Sequence, residues 1–190
     1  MSTLRHRVLV PVLLLALAAT LPAAAAELAG VSLPDTATVG GETLQLNGLG
    51  LRKKFFIKVY VGGLYLPMKQ SDWKQVLATD TPRHMVMHWL RTVDKASISE
   101  GWTDCLKANS PGASAEVKKN FATLESWMEE ARAGDQFTYT YLPGSGTQVS
   151  VAGKPKGSLG GKPFADALFA CWIGEKPGPG TGFRDDLMGQ

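Results

Sequence analysis

Residues 47–66, NGLGLRKKFFIKVYVGGLYL, carry more of the architecture than any other part of this chain. A glycine-punctuated turn leads into three consecutive cations, Arg52, Lys53 and Lys54. Aromatic and β-branched residues then run to Gly62-Gly63 and Leu64-Tyr65-Leu66, and Pro67 closes the run. This composition predicts a long strand over residues 55–66. Side chains alternate along a strand, so Phe55, Ile57, Val59, Val61 and Tyr65 share one apolar face. Phe56, Lys58, Tyr60 and Leu64 share the other. Apolar bulk mixed with a few polar groups suits a small-molecule cleft better than a plain core. Continued backwards, the same alternation brings Arg52 onto the mixed face.

Turn signals and hydrophobic periodicity lay out the remainder. Residues 30–33 predict a short first strand, and residues 36–51 a hairpin turning at Gly40-Gly41. Ser71-Asp72 can cap a short helix ending near Ala78. Residues 83–91 alternate, with Met85, Met87 and Trp89 on one face and His84, Val86, His88 and Leu90 on the other. Asp94 can cap a helix that carries Ile98, Trp102, Cys105 and Leu106 at helical spacing. A longer amphipathic helix is expected over residues 115–133, then strands over 136–142 and 147–152 joined at Pro143-Gly144-Ser145-Gly146. Residues 154–161 read as a Gly/Lys/Pro-rich connection. A helix over 163–172 and a Gly/Pro-rich tail over 174–182 follow, ending in a short turn of helix near 184–188. No internal repeat or boundary is visible. Strands on both sides of a helical middle predict one α+β domain, with helices packed on a mainly antiparallel sheet.

The N-terminus reads as an export signal. Arg5, His6 and Arg7 form a basic start, residues 8–21 are almost wholly apolar, and Pro22 with the alanines 23–26 fits a small-residue cleavage site. The apolar run is shorter than the ~20 residues a membrane span needs. Cleavage after Ala26 gives a signal peptide of residues 1–26 and a domain of residues 27–190, or 190 − 26 = 164 residues. A domain of that length can bury a real core. Two of the 20 Lys and Arg leave with the signal, so the charge becomes 18 − 17 = +1. A balance so near neutral gives no footprint for nucleic acid or an anionic membrane, and no integral span remains after cleavage. The expected location is periplasmic or secreted.

Cys105 and Cys171 are the two cysteines. In an oxidising compartment they could bridge. Each also sits in a helical pattern at a position that reads as buried, where cysteine serves as a small core hydrophobe, and this second reading is preferred. His84 and His88 lie on one strand face with backbones ~13 Å apart. A single zinc, whose ligands sit at ~2 Å, does not bridge that distance easily, so no metal site is expected. No nucleophile elbow or phosphate loop appears, and there is no cofactor signal.

The run Phe56-Ile57-Lys58-Val59-Tyr60-Val61-Gly62-Gly63-Leu64-Tyr65-Leu66, preceded by glycines and Arg52, resembles the chalcone isomerase superfamily. Ala170-Cys171-Trp172-Ile173-Gly174-Glu175 resembles that family's C-terminal helix end, and the element order between the two fits. The likeness is greatest to the bacterial, exported chalcone-isomerase-like branch. It implies an open-faced β-sandwich in which a large curved sheet holds a layer of helices, with a ligand cleft between them. Active members close a flavonoid ring with an arginine, a strand threonine, a tyrosine and an asparagine near the middle helix, and a threonine or serine by the C-terminal helix. Arg52 matches the arginine. Tyr60 stands at the strand threonine, Ser97 at the tyrosine, Asp104 at the asparagine and Cys171 at the last position. An aspartate in place of an amide would repel a phenolate or enolate.

The retained arginine carries a second implication, since non-catalytic relatives bind fatty acids and pair an arginine with the carboxylate. Guanidinium and carboxylate match as a two-pronged hydrogen-bonded pair. The expected function is therefore binding of a small amphipathic anion such as a fatty acid, with Arg52, Tyr60, Asp104 and Cys171 as candidate ligand-binding residues. Other readings stay open at this stage. Arg52 can be a solvated charge that discourages edge pairing. Asp104 can be solvated, Tyr60 can fill the sheet face, and Lys58 is a surface charge whose stem covers apolar area. One functional alternative is an isomerase or intramolecular lyase using Cys171, Tyr60 or Asp104 for proton chemistry. Another is an envelope protein that docks a partner through its Gly/Pro-rich tail.

Overall fold

The computed structural model describes residues 25–190. Seven strands form one antiparallel sheet in chain order: β3 (Thr36–Val39), β4 (Glu42–Lys54), β5 (Ile57–Leu66), β6 (Arg83–Trp89), β7 (Gln136–Leu142), β8 (Gly146–Val151) and β9 (Lys154–Leu159). A separate hairpin, β1 (Ala25–Leu28) and β2 (Val31–Pro34), lies against one face. Helices α1 (Trp73–Ala78), α2 (Lys95–Asn109), α3 (Ala115–Trp127), α4 (Lys162–Ile173) and α5 (Thr181–Leu187) cover the other. The expected α+β class and open-faced sandwich are observed. Of the expected signal peptide, residues 1–26, residues 1–24 lie outside the described residues. Ala26 pairs with Leu33 inside β1, so cleavage after it would shorten that strand.

Alternation assigns the two sides of the sheet. Tyr60, Leu64, Met85, Met87, Trp89, Phe137 and Tyr139 face the helices. Val61, Tyr65 and Val86 face the β1–β2 hairpin with Leu44 and Leu46. Two departures from simple alternation shape everything near Arg52. Arg52 pairs with Tyr60 and Lys53 with Lys58, which leaves Val59 as an extra residue in β5. A bulge of this kind turns two successive side chains toward one side. Val59 and Tyr60 therefore both reach the helix side, whereas uninterrupted alternation separates them. The register also shifts between Leu46 and Gly48. Asn47, at that shift, is buried; its amide donates to the Gln70 and Leu187 carbonyls at 2.9 and 2.7 Å and accepts from the Gln70 N–H at 2.7 Å.

Several sequence expectations are corrected here. Gly48 and Gly50 are not in a turn; they lie within β4 as the seat of α5. A Cβ on Gly48 would meet the Asp186 carbonyl oxygen at 2.3 Å, and the Phe183 ring lies over Gly50 and Gly62. Phe55 and Phe56 are not strand residues but form the two-residue turn between β4 and β5. Residues 154–159 form an edge strand rather than a connection, and a sheet edge is where Pro155 is tolerated. Helix α3 ends at Trp127, before its expected end, because Ala131 leaves the helix to bridge Val93. Cys105 and Cys171 form a disulfide between α2 and α4, contrary to the preferred reading of two free core thiols. The Gly/Pro-rich tail is held down. Asn109 accepts from the Lys176 N–H at 2.9 Å and donates to its carbonyl at 2.8 Å, and Gly178 N–H donates to the Cys171 carbonyl at 2.9 Å.

His84 sits on the hairpin side of β6, with Nδ1 hydrogen-bonded to Thr140 Oγ1 at 2.7 Å. Burial lowers its pKa from 6.5 to about 4. The folded protein thus refuses a proton that the unfolded chain accepts below pH 6.5. Stability should be flat above that pH and fall between there and about 4, by roughly 2 kcal/mol after discounting for partial exposure. Urea titrations across this range check the slope, which His84→Gln should remove. At the α5 seat, Gly48→Ala should cost about 1–3 kcal/mol by forcing backbone against backbone, measured by the same titration at neutral pH.

Candidate functional site

Between the sheet and α2 lies a cavity of about 430 Å³, within the range of small-molecule sites. Its sheet wall is Tyr60, Met87 and Trp89. Its helix wall is Ile98 and Trp102 from α2, Trp172 from α4, and the Cys105–Cys171 disulfide. Edge-on aromatic contacts fix this lining: Tyr60 to Trp89 at 5.3 Å between ring centroids, and Trp102 to Trp172 at 5.4 Å. Such pairs add to area burial and restrict the rings. The charged groups gather elsewhere on the lining. Arg52 and Lys54 come from the end of β4, Arg91 from the segment after β6, and Asp94 from the start of α2.

The charges do not cancel. Asp94 is the one carboxylate among the lining residues, and it is already engaged. Its two oxygens accept from the Ser97 backbone N–H and hydroxyl, both at 2.8 Å, capping α2 and holding its pKa below the ordinary carboxylate value. Among the described residues no carboxylate lies within ion-pair distance of Arg52, Lys54 or Arg91. Arg83 offers an internal contrast. It is fully buried, donates to Asp166 Oδ1 at 2.7 Å and to the Thr79 carbonyl at 2.9 Å, and packs against the Tyr141 and Phe169 rings. That cation has an internal counter-charge, although its Nε and Nη1 are buried without a hydrogen-bond partner. Arg52 is half-buried beside apolar walls without such a partner.

The candidate residues separate clearly. Arg52 and Tyr60 are cross-strand partners, and both line the cavity. Burial pushes the Tyr60 hydroxyl well above the ordinary tyrosine value, with the Arg52 charge and the Trp172 indole pulling the other way. At neutral pH Tyr60 is therefore a protonated donor. Cys171 also lines the cavity, but as a disulfide, so it has no thiol to titrate or attack. Asp104 is exposed and does not line the cavity. Two residues past Trp102 on a helix, it projects away from the face that Ile98, Trp102 and Cys105 turn inward. Ser97 is at the lining, committed to Asp94. Sequence reasoning did not single out Trp89, Trp102 or Trp172 as lining residues, because their periodicity looks the same for a packed core. Lys54 and Arg91 gave no signal beyond charge.

A family model for chalcone isomerase-like proteins matches residues 25–189. The chain belongs to the chalcone isomerase-like family. No curated protein matches it significantly. Among solved structures, the crystal structure of a fatty-acid binding protein from Arabidopsis thaliana superposes with a TM-score of 0.68 at 18% sequence identity, covering 87% of this chain and 97% of that one. At this identity the likeness establishes the chalcone isomerase-like fold. The cavity described above occupies the place where such a fold lays its helices over its curved sheet.

The disulfide ties the helix wall together across 66 residues of sequence. In the chain-entropy account, closing a loop of that length stabilises by about 4 kcal/mol. Reduction, or Cys105→Ser with Cys171→Ser, should lower unfolding stability by roughly that amount. Intact mass after alkylation, with and without reductant, should show two thiols appearing only on reduction.

Proposed function

We propose that this protein is an exported, non-catalytic member of the chalcone isomerase-like family that holds a small amphipathic anion of the fatty-acid class in the cavity. The observation that carries this reading is Arg52: a guanidinium half-buried beside apolar and aromatic walls, with no carboxylate of the described residues to neutralise it. A cation removed from water without a counter-charge is costly, and a bound carboxylate relieves the cost. Tyr60, protonated and opposite Arg52 in the ladder, can add a neutral hydrogen bond to the same headgroup. Met87, Trp89, Ile98, Trp102 and Trp172 then cover the chain. The fatty-acid binding described for the Arabidopsis neighbour supports the same ligand class.

Periplasmic or secreted location is supported by the basic-apolar N-terminus and by the disulfide, a bond favoured in oxidising compartments. The isomerase alternative loses two of its three proton-transfer groups. Cys171 is locked in the bridge and Asp104 stands outside the cavity. The tail invoked for partner docking is folded onto the body by Asn109.

Displacement of a fluorescent fatty acid by palmitate, with native mass spectrometry of the same samples, tests the reading. Wild-type protein should bind one palmitate. Arg52→Ala should weaken binding by about 10–100-fold, the worth of a charge-assisted hydrogen bond, with circular dichroism unchanged, and Arg52→Lys should fall between. Equal binding by Arg52→Ala, or no binding by the wild type, overturns it.

A further inference from the structure

The tip of the β4–β5 hairpin makes choices that folding does not favour. Lys54 pairs with Ile57, so Phe55 and Phe56 form a two-residue turn. Phe55 has φ +57°, a conformation that residues with side chains rarely adopt and for which such turns select Gly, Asn or Asp. Neither ring is repaid by burial, since Phe55 is 88% and Phe56 90% exposed. One rung further in, Lys53 and Lys58 face each other directly, a like-charge cross-strand pair that weakens a ladder. Residues 53–58 hold three exposed cations, Lys53, Lys54 and Lys58, and no acid. Two projecting aromatic rings ringed by cations lack any complement among the described residues.

We propose that this tip is a docking wedge for an anionic lipid bilayer. The phenyl rings enter the boundary between headgroups and acyl chains, and the cations meet negatively charged headgroups, the combination by which peripheral segments hold to membrane surfaces. The near-neutral charge of residues 27–190 excludes a field over the whole surface, not a concentration of it at one hairpin. Lys54 and Ile57, flanking the rings, also line the cavity, so docking sets the cavity against the bilayer. Given the ligand reading above, on which this last consequence rests, an amphipathic anion then passes between membrane and cavity without crossing bulk water.

Flotation of the purified protein with vesicles tests the wedge. It should float with vesicles of phosphatidylcholine and phosphatidylglycerol, not with phosphatidylcholine alone, and less as salt rises. The informative variant is Phe55→Asn with Phe56→Gly. It installs a favoured turn, so thermal stability should hold or rise while vesicle affinity falls more than ~10-fold. Lys53→Gln and Lys58→Gln should each cost about fivefold. The two readings fail separately. Arg52→Ala should keep most vesicle binding while losing palmitate, and Phe55→Asn with Phe56→Gly should keep palmitate affinity while losing vesicles. Absence of wild-type flotation, equal flotation with neutral vesicles, or an unaffected turn variant overturns the wedge. So does a dimer in sedimentation velocity that the turn variant abolishes, since a second copy would then be the occupant.

Discussion

Arg52 and Tyr60 face each other across β4 and β5, and the register that pairs them leaves Val59 without a partner. That single extra residue turns the end of β5 so that Ile57, Val59 and Tyr60 all reach the cavity beside Arg52 and Lys54. In an unbroken ladder Ile57 and Val59 would face away, and the cation would stand over a thinner apolar wall. The same pair of strands supports the C-terminal helix. Gly48, Gly50 and Gly62 leave room for Phe183 and the α5 backbone to approach the sheet. Phe183 in turn packs edge-on against Tyr60 at 5.7 Å. Wall, cation and closing helix thus depend on how β4 meets β5.

Two arginines in one small domain show how environment divides labour. Arg83 is enclosed, and an aspartate, a backbone carbonyl and two aromatic faces compensate its charge, with Nε and Nη1 left unpaired. Removing one partner from such an arrangement leaves a buried charge, which is why these pairs behave as structural units. Arg52 sits at a boundary, half-buried beside apolar walls and without an ion-pair partner among the described residues. Asp94 does not compete for it, because its two oxygens are committed to the start of α2.

The disulfide has a double consequence. It fastens α2 to α4, which makes the helix wall a fixed surface rather than two helices free to separate. It also converts the cysteine at the C-terminal site position into an inert apolar contact. The cavity thus combines aromatic walls, a bridge in place of a thiol and a protonated tyrosine.

Much of this was legible before any coordinates. The long strand, the alternation over residues 83–91, and the helical spacing of Ile98, Trp102 and Cys105 all follow from local periodicity, because each is set by neighbours a few residues apart; Arg52 and Tyr60 do meet, but across the β4–β5 hairpin rather than along one strand. The bulge at Val59, the edge strand at 154–159 and the role of Gly48 and Gly50 as a helix seat were not legible. Each depends on a partner distant in the chain: β4 for the bulge, β8 for the edge strand, α5 for the glycines. The cysteine pair illustrates the limit most plainly. Helical periodicity says that Cys105 and Cys171 point inward, and both do, but only the packing of α2 on α4 brings their Cα atoms to 5.3 Å. The sequence alone therefore determined the class of fold and which side of each element is apolar. The tertiary structure alone decided that Arg52 borders an apolar cavity without an internal counter-charge, because a charge's partners are set by what surrounds it in space.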